Sequence, residues 1–312
     1  MYDIAIWTPI NPESGFGHFY RMFGLYEKLL EEKQSVTYFT NSDFIKLEKI
    51  DILHIKTDSI NKIIEFLQKK LVKMIIIDNY DVSQNEIKEL NKYFKIVYFD
   101  YKFLNPTVDA IVNFNPYAPE KYKNKNEQTR YFLGLENMLF RKEIKAEKSI
   151  DIKKKNIFIS IGGSDVGHIT YKILPFLPSA MHYNIVLGNG CSKEYYEEVD
   201  IRLKQLYLNY CLYRQPKNYF EILRSSEFVI ISCSTTAYEV IYFSKPFVCI
   251  NVVENQDELT NYLNSKNITT LTKDNLEDIT DIINKNRFKI LEESWFSSQN
   301  NLLYDYIKEG AR

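Results

Sequence analysis

The chain has 312 residues, more than one small core comfortably holds and enough for two α/β domains. A hydrophobic share of 45% with 26% charged residues is that of an ordinary soluble globular protein, and a formal net charge of −1 argues against bulk attraction to nucleic acid or an anionic membrane. No apolar run reaches the length of a membrane span and residues 1–30 lack a signal-peptide plan, so the cytoplasm is the expected location.

In chain order, the first apolar run, Asp3–Trp7, reads as a strand. It is followed by the loop Ser14-Gly15-Phe16-Gly17 and then by an amphipathic stretch, His18–Glu32. Phe19, Met22, Phe23, Tyr26, Leu29 and Leu30 recur at helical period and mark one buried face. Gly15 and Gly17 let the backbone turn sharply and deliver His18 to the helix start. There the unpaired N–H groups and the positive dipole end disfavour an added proton, which biases the imidazole towards a neutral base. Arg21, three residues on, faces the same side and is placed to reach an anion. A plain βα turn with a chance histidine accounts for these residues about as well.

Further strands are expected at Ser35–Thr40, Asp51–Lys56, Lys73–Asp78, Lys95–Asp100, Asp109–Phe114 and Arg130–Leu133, with helices at Ser59–Lys70 and Ser83–Tyr93. This alternation with few hairpin signals implies an open parallel sheet covered on both faces. The charged stretch Arg141–Lys155 suits an interdomain linker. The pattern then restarts, with strands at Asn156–Ile161, Tyr183–Leu187, Tyr210–Tyr213, Phe228–Ser232, Phe247–Asn251 and Ile268–Leu271. Helices are expected at Val166–Phe176, Lys193–Leu208, Asn218–Ser225, Thr236–Phe243, Gln256–Ser265 and Leu276–Asn284, and a last one at Lys289–Ile307. The fold class is therefore α/β, two doubly wound Rossmann-like domains facing a cleft: residues 1–148 and 149–312, the last helix packing back on the first domain. Cys191, Cys211, Cys233 and Cys249 form no CxxC pair, so neither zinc nor a disulfide framework is indicated, and buried thiols are expected.

The unusual polar residues fall at the carboxyl ends of these strands, where doubly wound sheets bind ligands. Gly162 and Gly163, with Ser164 and Asp165 after them, can expose backbone N–H groups to a diphosphate. The small polar turn Ser234, Thr235 and Thr236 offers a second set of donors, so charge is neutralised without a metal. Glu239, one turn into the next helix, is placed to accept hydrogen bonds from ribose hydroxyls. His168 is as well explained as a surface residue, His54 reads as structural and His182 as a loop residue. No GxGxxG opens either half, which disfavours a nicotinamide enzyme.

With these residues assembled, the chain resembles the UDP-2,4-diacetamido-2,4,6-trideoxy-β-L-altropyranose hydrolase family of the pseudaminic acid pathway, related to spore-coat polysaccharide proteins and of GT-B architecture. The resemblance runs through GFGHFYR at 15–21, IIIDNY at 75–80, VNFNPYA at 112–118 and GLENMLFRKE at 134–143. It continues through SIGGSD at 160–165, STTAYE at 234–239 and ENQ at 254–256. It implies an inverting, metal-independent hydrolase that needs no cofactor and removes UDP from a UDP-linked amino-deoxy sugar. In that reading His18 activates water, Asn255 acts beside the sugar, and Gly17, Arg21, Tyr80, Arg141 and Gln256 contact the substrate. UDP lies on the second domain, at the GGSD turn and Glu239. A GT-B glycosyltransferase using the same donor, or a non-catalytic nucleotide-sugar or glycan-binding protein, are the alternatives.

The chain departs from the family pattern in its first half. The usual Arg-x-Asp-x-Ser run after the first strand is here Trp7-Thr8-Pro9-Ile10-Asn11, and paired acids at a later strand end become Asp100-Tyr101. Trp7 either offers a flat apolar face to the sugar or points into the sheet core, two expectations of equal weight.

Overall fold

A computed structural model describes residues 2–9, 17–40, 52–55, 57, 59–140, 142–145, 150–291 and 302–310. The chain divides into two compact units, Met1–Lys142 with Trp295–Arg312 and, between them in sequence, Glu143–Ser294.

The first unit carries strands β1 (Ile4–Trp7), β2 (Val36–Thr40), β3 (Ile52–His54), β4 (Met74–Ile77), β5 (Lys95–Phe99), β6 (Ala110–Asn113) and β7 (Arg130–Leu133). Its helices are α1 (Gly17–Glu31), α2 (Ile60–Lys69), α3 (Gln84–Leu90) and the short α4 (Ala118–Lys121). The described strands pair in parallel in the order β3-β2-β1-β4-β5-β6-β7. Every residue of β1, β4 and β6 is buried, as expected where helices cover both faces of a parallel sheet. On α1, Phe19, Met22, Leu25 and Leu29 turn inward, whereas Leu30, expected on that face, is 45% exposed. Helix α3 starts at a capping box in which Ser83 and Glu86 satisfy each other's backbone N–H.

The second unit carries β8 (Lys153–Ser160), β9 (His182–Leu187), β10 (Asn209–Arg214), β11 (Ser226–Ser232), β12 (Phe247–Ile250) and β13 (Thr270–Leu271). Its helices are α5 (Ile169–Ile173), α6 (Lys193–Gln205), α7 (Tyr219–Ser225), α8 (Thr235–Tyr242), α9 (Asp257–Ser265) and α10 (Ile279–Asn284). The parallel order is β10-β9-β8-β11-β12-β13. Four differences from the sequence reading stand out. Lys153, Lys154 and Lys155, expected in a linker, open β8, because backbone pairing with Ser226 needs no apolar side chain. The helix expected from Val166 begins at Ile169, because Gly167 (φ +80°) and His168 (φ +55°) are left-handed. Lys289, expected to open the last helix, instead makes an isolated antiparallel bridge to Phe247. His182, read as a loop residue, is the first residue of β9.

The last described helix, α11 (Leu302–Gly310), packs within the first unit. Lys308 pairs with Glu32 at 2.5 Å, Lys28 lies 3.6 Å over the Tyr304 ring, and Lys95 donates to the Gly310 carbonyl at 3.0 Å. Among the described residues, no helix is long and apolar enough to cross a membrane.

In each sheet the strand order reverses once, between β1 and β4 and between β8 and β11. Chains leaving the carboxyl ends of such a pair diverge to opposite faces and leave room for a ligand there.

Candidate functional site

The first reversal point brings His18, Arg21 and Asp78 together. Strands β1 and β4 run in register with Trp7 beside Ile77, and Asp78 follows at once. Its backbone is pinned from β1, its N–H donating to the Trp7 carbonyl at 2.9 Å and its carbonyl accepting from the Thr8 hydroxyl at 2.8 Å. Helix α1, entered after β1, carries His18 and Arg21 one turn apart over the same spot. The Asp78 carboxylate is wholly buried, with Oδ1 2.7 Å from His18 Nδ1. Arg21 holds it with two prongs, Nε to Oδ2 at 2.6 Å and Nη2 to Oδ1 at 2.7 Å. Such a fork is strong because both partners are charged and planar.

Arg21 Nη2 also stands 2.6 Å from His18 Nδ1. That nitrogen carries either a proton or a lone pair, so it satisfies only one of these neighbours. A lone pair there would face the anionic Asp78 Oδ1. We therefore assign the proton to Nδ1, donated to Asp78, which leaves the Nε2 lone pair available as a base. Burial lowers the His18 pKa and Arg21 lowers it further, against the opposing pull of Asp78 and Asp81, so the imidazole is neutral at neutral pH. Desolvation, rather than the helix terminus expected from sequence, is the main cause. For Asp78, burial pushes the carboxyl up, but Arg21 and then His18 outweigh it and hold it at about 2. Arg21, expected to reach a ligand anion, is engaged by Asp78 instead.

Tyr80, two residues beyond Asp78, is half-buried with its ring 4.5 Å from the imidazole, edge on. Burial pushes its hydroxyl up to about 12, so it remains a phenol and a donor. Gly17 is the first residue of α1. Arg141 and the loop residues Gly15 and Phe16 lie outside the described residues. Trp7 is 2% exposed and stacked on Phe39 at 5.6 Å, in the core with Ala5 and Ile77. Of its two expected roles, the core one holds, and no sugar face is offered by that ring.

The second reversal point brings the two small-residue turns together. Ile231 of β11 stands beside Ser160 of β8, so the turns that follow are neighbours. Gly162 takes a φ of +75°, and a Cβ there would come 3.5 Å from the Ser232 hydroxyl. Ser232 and Ser234 hydroxyls are 3.0 Å apart, just before the first turn of α8. Ser234, Thr235 and Thr236 are half-buried there, and Glu239 one turn on is buried. Backbone N–H groups at the start of α8 and around Gly162–Gly163 form a donor set suited to an anion.

Two expected contact residues are occupied otherwise. Asp165 is buried, its carboxylate accepting from the Tyr195 hydroxyl at 2.5 Å and the Thr170 N–H at 3.2 Å, so it fastens the glycine turn to α5 and α6. Gln256 folds its side-chain oxygen onto the Val252 N–H at 2.9 Å and so staples its own loop. Asn255 beside it is exposed. Ser164 is half-buried, and His168 stacks on Tyr195 at 4.2 Å.

Three further contributors are not marked by the sequence reading. Asp78 appears there only as a strand end. Gly188 and Gly190, after β9, lie directly on the glycine turn: Gly190 N–H donates to the Gly163 carbonyl at 2.8 Å, and a Cβ on Gly188 would sit 2.5 Å from that oxygen. The signal was present as a Gly-Asn-Gly sequence at a strand end.

No protein-family model matches the chain. It is 28% identical over 318 aligned positions to an uncharacterised protein of Methanocaldococcus jannaschii, covering 93% of this chain but only 65% of that protein. It is 24% identical over 220 positions to the UDP-2,4-diacetamido-2,4,6-trideoxy-β-L-altropyranose hydrolase of Campylobacter jejuni (69% of this chain, 79% of that one). Spore coat polysaccharide biosynthesis protein SpsG of Bacillus subtilis is 23% identical over 270 positions (81% and 78%). Among solved structures, TcCGT1 in complex with UDP superposes with a TM-score of 0.66 over 99% of both chains at 12% identity. MurG of Acinetobacter baumannii does so with 0.60 over 91% of both, also at 12%. The two parallel sheets described above are those of the GT-B fold of these solved structures.

Proposed function

We propose that the chain is an inverting, metal-independent hydrolase that releases UDP from a UDP-linked amino-deoxy sugar. The observation that carries the reading is the buried His18–Asp78 pair at the first reversal point, a neutral imidazole oriented by a carboxylate. The name of the Campylobacter relative supplies the substrate class. In this reading the first unit provides the base and the second holds the nucleotide.

His18 Nε2 accepts a proton from water as the water oxygen attacks the anomeric carbon. The bond from that carbon to the UDP oxygen breaks on the opposite side, so configuration inverts. The imidazolium that forms is stabilised by Asp78, already ionised and 2.7 Å away. The departing diphosphate gains charge, which the backbone N–H groups of the Gly162–Gly163 turn and of Thr235–Thr236 stabilise. Glu239 is assigned to the ribose hydroxyls, and Tyr80 and Asn255 to the sugar.

The likeness to solved structures of a UDP-glucosyltransferase and a rhamnosyltransferase favours a second reading, in which a hydroxyl of a sugar or lipid replaces water and everything else is retained. One assay separates the two. The protein is incubated with a panel of UDP-sugars, with and without acceptors, and free UDP is followed. Release without acceptor supports the hydrolase; release only with acceptor supports the transferase. Tight binding with no turnover in either condition refutes both and leaves a binding protein.

A further inference from the structure

Arg21 is a buried cation with aromatic rings against it as well as a carboxylate at its edge. The edge grips Asp78, as described. The guanidinium carbon also lies over the Tyr101 ring, 4.6 Å from its centroid, and over the Phe114 ring at 5.4 Å. Tyr101 is the residue that stands where the resembled family carries an acid. Its neighbour Asp100 is wholly buried and accepts from the Leu104 N–H at 2.9 Å, the Asn105 N–H at 2.7 Å and the Tyr122 hydroxyl at 2.9 Å. The chain leaving β5 is thereby fastened, and the Tyr101 ring has a fixed base. The ring meets Phe114 at 5.3 Å and Tyr80 at 5.7 Å, and stands nearly perpendicular to the His18 ring at 6.1 Å.

A carboxylate that receives two N–H bonds fixes where the guanidinium edge sits. It fixes the tilt of the guanidinium plane about that edge less tightly. A ring packed against the guanidinium carbon limits that tilt, and its π face also favours the cation. Tilt matters here because Arg21 Nη2 and His18 Nδ1 crowd the same oxygen, Asp78 Oδ1, at 2.7 Å each. A small rotation of the plane decides whether Oδ1 keeps its bond from the imidazole.

We propose that Tyr101 is a positioning residue: its ring, packed against the Arg21 guanidinium, limits the guanidinium's swing, so that Asp78 Oδ1 keeps accepting from His18 Nδ1–H and Nε2 keeps its lone pair. The role rests on His18 being the base, but the positioning itself is observable without turnover. The charged and titratable groups facing His18 are Arg21 on its own helix, Asp78, Tyr80 and Asp81 after β4, and Tyr101 after β5. Arg21 opposes protonation of His18 and the two aspartates favour it. Letting the guanidinium swing away therefore raises the pH at which His18 protonates.

The test is ¹⁵N–¹H NMR of the imidazoles in the full chain, which has four histidines, with His18 identified by its loss in His18→Asn. Wild type and Tyr101→Phe should both show the Nδ1–H tautomer and a midpoint below the ordinary histidine value. Tyr101→Leu should show mixed tautomers and a midpoint higher by about 0.5 pH or more, a threefold change in protonation. Arg21→Lys, which keeps the charge but has no plane to stack, should move the tautomer the same way. If the protein turns over UDP-sugar, the acid limb of kcat moves with the midpoint in Tyr101→Leu while UDP affinity stays put. A folded Tyr101→Leu with wild-type tautomer and midpoint overturns the proposal. So does Tyr101→Phe behaving like Tyr101→Leu, which would transfer the role to the hydroxyl. If Tyr101→Leu does not fold, a wild-type tautomer in Arg21→Lys overturns it. Absence of turnover in wild type counts against the hydrolase alone, since the NMR arms still decide Tyr101.

Discussion

Replacing Asp78 by asparagine keeps the size of the side chain and removes the charge that Arg21 and His18 share. Arg21 is 5% exposed and Asp78 wholly buried, so the substitution leaves a buried guanidinium without its counter-ion. Breaking a buried pair in this way costs about 3–5 kcal/mol, which for a unit of this size lowers the melting temperature by roughly 6–20 °C. The chemistry should suffer separately. An amide turned to accept from His18 Nδ1 presents its NH₂ to the Arg21 Nε–H, and turned the other way it donates to Nδ1 and puts the proton on Nε2. Either way the base is misoriented or lost, and kcat should fall by about 10²–10⁴-fold. Asp78→Asn should also flatten the acid side of the stability profile. The wild-type carboxyl, held at about 2, lies below its unfolded value, so its contribution is fully present above that unfolded value. It is lost as pH falls from about 5 towards 2 and amounts to roughly 2–3 kcal/mol. Calorimetry across pH 2–7 with UDP-release kinetics at neutral pH would measure both effects. A variant within about 0.5 kcal/mol of wild type and within threefold in kcat would refute the network's role.

His18→Asn should lower kcat by roughly 10²–10⁴-fold while UDP affinity stays near normal, and wild-type turnover would remove His18 from the mechanism. Glu239→Ala should weaken UDP binding by about 1–3 kcal/mol in calorimetric titration if a charge-assisted ribose contact is lost. Unchanged affinity would count against that contact. Gly188→Ala forces a Cβ to 2.5 Å from the Gly163 carbonyl, so it should displace the glycine turn and weaken UDP binding by about tenfold or more while leaving the His18 tautomer unchanged. Wild-type UDP affinity in that variant would show that the turn tolerates the shift.

Much of the site was legible as parts. The period of Phe19, Met22 and Leu29 gave α1, and the glycines before it placed His18 at a strand-to-helix turn. Gly162–Gly163 and Ser234–Thr236 stood out as small polar turns at strand ends. Backbone conformation misled in two places. Lys153–Lys155 read as a solvated run because its side chains are solvated, although its backbone pairs. Val166 looked helical because left-handed His168 carries no mark that a period can register.

Helix faces and strand hydrophobicity are local properties, imposed by 3.6- and 2-residue repeats, and the sequence by itself determined them. It also determined the α/β class, since alternating buried strands and amphipathic helices leave few other layers. Strand order is not local. That β1 lies beside β4, and β8 beside β11, follows from how all the helices of a unit share two faces of one sheet. Only that adjacency brings Asp78 within 2.7 Å of a histidine 60 residues earlier, and Ser232 against Gly162. The tertiary structure therefore decided the partner of the base and the tautomer that follows from it. A carboxylate changes an imidazole through distance and desolvation, and neither is written in the order of residues along the chain.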